Sequence, residues 1–238
     1  MPNPLKLNPA LDGDALRDVY RRSGRIQIVN LLDESDARAL LEDFASRRDW
    51  KLAINQGERV IDFSPEAYAK LGETGQAALS RDVIERGRRG FQFRYDTIRG
   101  SSDMPADHPL ARVVALMNAP ATLDLLRHVT DMPDIRSADG HASRYLPGHF
   151  LSMHDDRIAG RGRRAAYVLN LNPKWHPDWG GLLAFYDAQG QVARGFVPGW
   201  NRLSLFAVPQ PHAVTWVTPL APIPRIAVTG WLLGTDDG

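Results

Sequence analysis

The chain has no cysteine among its 238 residues, which excludes disulfide staples, thiolate zinc sites and iron–sulfur clusters. It has almost no net charge either. At +1, it offers no global attraction to nucleic acid or to an anionic membrane. No apolar run approaches the length needed to cross a bilayer. The opening stretch, Met1 to Gly13, has neither a basic leader nor an apolar segment, so no secretory signal is expected. These absences describe a soluble cytosolic protein with no membrane partner. What is present is ordinary for a globular chain: 43% hydrophobic and 24% charged residues leave no suggestion of disorder. The length suits one large domain or two small ones.

The pattern changes along the chain. Asp14 to Arg22 reads as a short polar helix ended by Gly24, and Arg25 to Leu31 alternates like a half-buried strand. Asp33 or Ser35 then caps a helix that places Ala37, Leu40, Leu41 and Phe44 on one face. Further helices are expected at Pro65 to Leu71, Glu73 to Arg86 and Leu110 to Val129. After residue 134 the period shortens. Ile135 to Arg144, Ala166 to Leu171, Gly181 to Tyr186, Gln191 to Val197, Arg202 to Val208, His212 to Val217 and Arg225 to Leu233 read as strands separated by Pro, Gly and Asn. Seven strands with no helix between them favour an antiparallel barrel or jelly roll, with the earlier helices buttressing an outer face. No repeat or linker marks a domain boundary.

Within the strand-rich half lie residues with metal-ligating chemistry. His154-Asp155-Asp156 contains a His-x-Asp pair, His212 follows 58 residues later, and Arg225 lies 13 beyond that. In an extended segment residues i and i+2 point the same way, so His154 and Asp156 can serve one ion. Two imidazoles and a carboxylate leave open positions that suit non-haem Fe(II). His176-Pro177-Asp178 is a second His-x-Asp match, but its KWHPDWGG setting reads as a loop. Asp155 points away from its neighbours and reads as a solvated or supporting carboxylate. Arg225 shares a strand face with Ala227, Thr229 and Trp231, and an inward guanidinium there needs an anion.

Arginines cluster at Arg157, Arg161, Arg163 and Arg164 and again at Arg86, Arg88 and Arg89. They read either as two solvated loops or as a basic rim for an acidic substrate or nucleic-acid-associated protein; no other nucleic-acid signature is present. Phe91, Phe93 and Tyr95 alternate and read as core packing. Trp175, Trp179 and Trp200 lie in loops, a setting associated with binding.

Four stretches, RYLPGHFLSMHDD (144–156), DWGGLLAF (178–185), PHAV (211–214) and RIAVTGW (225–231), resemble the prolyl-hydroxylase-type 2-oxoglutarate/Fe(II) dioxygenases. The nearest likeness is to the catalytic domain of ribosomal-protein prolyl hydroxylases, and Asn8-Pro9 and the strand-then-helix at 25–44 extend it. The resemblance implies a mostly β fold with buttressing α-helices around a double-stranded β-helix (jelly-roll, cupin-like) core. It implies one catalytic domain over 1–238, with 1–134 mainly helical support with some strands and 135–238 most of the core. It assigns Fe(II) to His154, Asp156 and His212, and the distal carboxylate of 2-oxoglutarate to Arg225, with Tyr145, Asn170 and Thr229 as further co-substrate contacts and ascorbate as a candidate reductant. The implied reaction hydroxylates an unactivated C–H bond of a prolyl residue in a protein or peptide, ribosome- or translation-associated, releasing succinate and CO₂.

Two departures stand out. The relatives carry a tyrosine where this sequence has Asn170, with Tyr167 three residues earlier, and they carry a second, non-catalytic barrel without a counterpart in these 238 residues. The same iron chemistry on a free amino acid, small metabolite or modified base is an alternative, as is a metal- or ligand-binding barrel without oxygenase activity.

Overall fold

The computed structural model describes residues 4–57 and 59–235; the first three residues of the stretch read for a secretory signal lie outside them. The described residues form six helices: α1 (Gly13–Arg21), α2 (Glu34–Ser46), α3 (Pro65–Ala69), α4 (Gly72–Gly87), α5 (Pro109–Met117) and α6 (Pro120–Thr130). The strands of the first half are β1 (Arg25–Val29), β2 (Lys51–Gln56), β3 (Arg59–Phe63) and β4 (Phe93–Arg99). Those of the second half are β5 (Ser137–Ala138), β6 (His141–Tyr145), β7 (Phe150–His154), β8 (Arg163–Asn170), β9 (Leu183–Tyr186), β10 (Val192–Phe196), β11 (Arg202–Ala207), β12 (His212–Val214) and β13 (Arg225–Leu233).

The strands join in the order β1-β11-β8-β13-β6-β4-β7-β12-β9-β10, with the β2–β3 hairpin extending from β4 and β5 resting on β13. The pairings are antiparallel. The sheet folds over itself: Ala166 and Val168 of β8 pack against Leu183 and Phe185 of β9 and Phe196 of β10 in one apolar cluster. This is the double-stranded β-helix. Helices α1, α2, α5 and α6 cover one outer face, whereas Tyr68 of α3 and Leu79 and Val83 of α4 pack separately with Leu52, Ile54 and Phe150. Leu40 and Phe44 of α2, Leu110 and Val113 of α5 and Leu126 of α6 pack with Tyr167, Leu169, Leu203, Leu205 and Val228. From Ala165 onward β8 therefore buries both of its faces, with Ala165, Tyr167 and Leu169 toward the helices and Ala166 and Val168 inward, following the two-residue period.

Local chemistry sets the boundaries. The Asp33 side chain accepts from Ser35 N at 2.9 Å and caps α2, whose buried stripe is Ala37, Leu40 and Phe44. The single helix expected from 110 to 129 is two. Pro120 occupies the first turn of α6 and Ala119 before it is extended, because proline lacks an N–H and crowds the preceding residue out of helical geometry. The strand expected from 135 to 144 breaks at Asp139-Gly140. There the Tyr167 hydroxyl donates to Asp139 O at 2.7 Å, and a Cβ on Gly140 would stand 2.8 Å from that hydroxyl. Strands β2, β3 and β7 were not anticipated; β4 lies between β6 and β7, so the first half of the chain contributes to the barrel wall.

Candidate active site

His154 ends β7 and His212 begins β12, and the two are direct partners across the antiparallel ladder. Their rings lie on the same face with centroids 4.2 Å apart. The Nε2 atoms of His154 and His212 each stand 3.4 Å from one oxygen of Asp156, Oδ1 and Oδ2 respectively. One ligand atom from each of the three residues falls within 4.8 Å of the other two.

Backbone contacts fix the rings. Nδ1 of His154 lies 3.0 Å from Ser152 O and Nδ1 of His212 lies 2.8 Å from Gln210 O. A carbonyl can only accept, so in both rings Nδ1 carries the proton and donates, which leaves the Nε2 lone pairs facing Asp156. The arrangement is symmetric: each imidazole is anchored by the carbonyl two residues before it.

Asp156 reaches the site by a route the extended-segment argument did not foresee. Strand β7 stops at His154, and Asp156 has φ +64°, a left-handed conformation that Asp tolerates better than most residues. A turn, and not strand alternation, swings its carboxylate back toward His154. Burial alone would push the Asp156 carboxyl up, but His154 and His212 hold it below its ordinary range. Burial, reinforced by His154, pushes the His212 imidazole down to about 4, so its neutral ligating form prevails at neutral pH. Two imidazole nitrogens and one carboxylate are the donor set that suits a divalent cation with open positions, so the residues present fit Fe(II).

The same cavity, about 440 Å³, is lined by Arg225, Tyr145 and Thr229 as well as the triad. Arg225 is 1% exposed, its Nε has no hydrogen-bond partner, and no carboxylate among the described residues pairs with it. Its guanidinium carbon lies 5.0 Å over the Tyr145 ring. Burial lowers its pKa toward about 10, against the pull of Tyr145. A guanidinium buried in this way needs an anion. A dicarboxylate with one end at the triad and the other at Arg225 supplies it, which is the fit expected of 2-oxoglutarate.

Gly181 makes room for this. It has φ +62°, and a Cβ there would stand 3.0 Å from Arg225 Cδ and 3.2 Å from Val217.

Other expected residues fall elsewhere. Asn170 is buried outside the cavity lining: its Nδ2 donates to Val168 O at 3.2 Å and Arg202 O at 3.4 Å, and Ala166 and Val168 form that part of the wall. Tyr167 points to the helices. Trp175 donates to Gly180 O, Trp179 packs edge-on against Trp175, and Trp200 donates to Glu34; none of them lines the cavity. The loop tryptophans are thus structural. His176 and Asp178 sit on an exposed single turn far from burial.

Most of the basic rim is neutralised, with Arg86 on Asp82, Arg88 on Glu85, Arg157 on Asp155 and Arg164 on Asp134. The cavity instead recruits residues read as core. Phe91, Phe93 and Tyr95 all line it, and the Phe91 ring lies 5.4 Å from that of His154. His141, which the sequence reading passed over, also lines it, its imidazole pushed down to about 4 by burial. The alternation of three aromatics was the available signal; a half-buried strand and a pocket wall share it.

Comparison with known proteins agrees with this geometry. Residues 140–233 match the 2OG-Fe(II) oxygenase superfamily. Prolyl 3-hydroxylase OGFOD1 of Mus musculus is 35% identical over 103 residues, 40% of this chain and 18% of that protein. The Xenopus laevis protein of the same name is 33% identical over 116 residues, 46% of this chain and 22% of that protein. The match thus covers about a fifth of these relatives' length.

Among solved structures, a Pseudomonas putida prolyl-4-hydroxylase aligns with TM-score 0.59 at 18% identity, over 94% of this chain and all of that one. A Trichoplax adhaerens prolyl hydroxylase, solved with a hypoxia inducible factor peptide fragment, aligns with TM-score 0.61 at 17% identity, over 93% and 89%. At such identities the structural likeness speaks for the fold, and the sequence match speaks for the segment that carries the triad and Arg225. Residues 140–233, the segment that carries the triad and Arg225, are thus similar to the 2OG-Fe(II) oxygenase superfamily.

Proposed function

We propose that this protein is an Fe(II)- and 2-oxoglutarate-dependent dioxygenase that hydroxylates a prolyl residue of a protein or peptide. The observation that carries the reading is the pairing, in one cavity, of a His-Asp-His triad with a buried guanidinium lacking an anion. His154, Asp156 and His212 would hold the metal. Arg225, with Tyr145 across the ladder and Thr229 on the same strand face, would hold the distal carboxylate of the co-substrate. The bound iron, with 2-oxoglutarate and O₂, supplies C–H hydroxylation with release of succinate and CO₂.

The chain's own residues bind, orient and exclude water. Arg225 reads the carboxylate and sets how far the co-substrate reaches toward the triad. Val168, Leu183, Val214 and Phe206 form an apolar lining that keeps water from the reacting end. Phe91 and Val60, both more than 40% exposed, stand at the open side, where an apolar prolyl ring would pack. The names of the matched relatives support proline as the target, and the motif resemblance makes a translation-associated protein the first candidate. One catalytic domain over 1–238 is part of the proposal, supported by β1 pairing with β11 at the end of the sheet and by β4 lying between β6 and β7. A cytoplasmic setting is part of it too, supported by a chain that needs no oxidising compartment; no helix among the described residues is long and apolar enough to cross a membrane.

The test is succinate release from 2-oxoglutarate with Fe(II), ascorbate and proline-containing peptides, with mass spectrometry of the peptide. A +16 product on proline is expected. Succinate release that needs a free amino acid or metabolite in place of every peptide would move the substrate away from protein.

A further inference from the structure

We propose that Arg163 positions the Asp156 carboxylate, acting through the aspartate's own backbone. The inference rests on the metal-centre reading above and deepens it.

Asp156 needs a device of this kind. It lies two residues beyond the end of β7, holds a left-handed conformation, and stands in a loop in which Gly160 and Gly162 are also left-handed. Such a segment has few constraints of its own. Its backbone within the loop is tied by Arg161 N to Ile158 O and by Arg157 N to the Asp155 side chain, neither of which restrains the Asp156 carbonyl.

Arg163, the first residue of β8, closes the loop. Its Nη1 donates to Asp156 O at 3.0 Å, while the same nitrogen stays 3.9 Å from Asp156 Oδ1, too far for a hydrogen bond. The distinction matters. A guanidinium bonded to the carboxylate would occupy oxygens that a metal needs, whereas one bonded to the carbonyl fixes the residue and leaves both oxygens for the cavity. The guanidinium is itself held: its carbon lies 3.5 Å from the centroid of the Trp231 ring. Trp231 stands on β13 opposite Ala166 of β8, so the platform belongs to the rigid sheet. The side chain of Arg163 is only 15% exposed, unlike that of Arg157 in the same loop at 70%. A planar fork that stacks with one face and donates from its edge is specific to arginine; an ammonium on a flexible stem cannot do both.

The test measures Mn(II) affinity by electron paramagnetic resonance of the free ion, and the visible absorption of the Co(II) form, in wild type, Arg163→Ala, Arg163→Lys and Trp231→Leu. Outer-shell partners of metal ligands are worth about ten- to a hundredfold in affinity. Arg163→Ala should weaken Mn(II) by about tenfold or more and alter the Co(II) spectrum, Arg163→Lys should fail to rescue either, and Trp231→Leu should move both in the same direction. Wild-type affinity and an unchanged Co(II) spectrum in a folded Arg163→Ala overturn the proposal. If that variant does not fold, Arg163→Lys and Trp231→Leu decide by the same readouts, and wild-type behaviour in both overturns it. Wild type that takes up no Mn(II) would instead reject the metal-centre reading itself, and this proposal with it.

Discussion

Arg225 and Tyr145 are direct partners across the β13–β6 ladder, with the guanidinium carbon 5.0 Å over the phenol ring. Tyr145 in turn stacks on Tyr95 at 5.2 Å and 20°. The cation therefore lies against an aromatic wall with no negative charge beside it, and what it lacks is an anion of the right reach.

Arg225→Lys should weaken 2-oxoglutarate binding by about tenfold or more, because a point charge cannot reproduce two parallel hydrogen bonds to a carboxylate. Tyr145→Phe should cost less. Titration calorimetry with the Mn(II)-loaded protein reads both, and unchanged affinity in Arg225→Lys would argue that the carboxylate binds elsewhere.

Gly181→Ala should act on the same contact from the other side. The added methyl meets Arg225 Cδ at 3.0 Å, and the left-handed backbone at Gly181 adds strain of about 1 kcal/mol or more. Both a lower unfolding midpoint in urea and weaker 2-oxoglutarate binding are expected; a normal affinity would mean that Arg225 shifts without consequence.

His154→Ala and His212→Ala should each abolish Mn(II) uptake while circular dichroism stays that of a folded protein, because both rings face the cavity, the second with one side against Phe206. Full uptake by either variant would remove it from the ligand set.

Phe91→Ala should raise KM for a peptide substrate severalfold and leave 2-oxoglutarate affinity unchanged, since Phe91 is 46% exposed at the open side while Arg225 is buried. Equal changes in both constants would place Phe91 in the co-substrate pocket.

Acid should destabilise the fold through His149. This residue is buried, and burial pushes its imidazole from 6.5 down to about 4. The folded state thus prefers the neutral ring, while the unfolded chain takes up a proton near 6.5. The stability contribution is complete above that pH and is lost as pH falls toward 4, by roughly 3 kcal/mol at most. Urea unfolding at pH 7.5 and 4.5 should show a smaller acid loss in His149→Gln than in wild type; an equal loss would assign the effect to other groups.

Much of the barrel was legible because its strands are short, apolar and bounded by Pro, Gly and Asn, and because Asp33 and the Ala37–Leu40–Phe44 stripe announce α2. The β2–β3 hairpin was not: its residues are largely polar or half-exposed, so neither face carries a clear apolar period. The triad and Arg225 could be singled out as residue types in order, but not their meeting point. That depends on β7 pairing with β12, a contact between segments 58 residues apart. The role of Asp156 as a turn residue was hidden because φ leaves no mark on an Asp-Asp-Arg sequence. Asn170 was placed by likeness alone, and a side chain that spends its amide on two carbonyls is invisible to likeness.

The direct pairing of His154 with His212 has a consequence for quality control. Neighbouring residues of a strand face opposite ways, so a slip of one position between β7 and β12 would turn one imidazole outward while leaving the strand content intact. Spectroscopy of secondary structure would not notice such an error. A titrated divalent ion would, which makes stoichiometric ion uptake a sensitive assay for whether a preparation has closed its barrel in the correct frame.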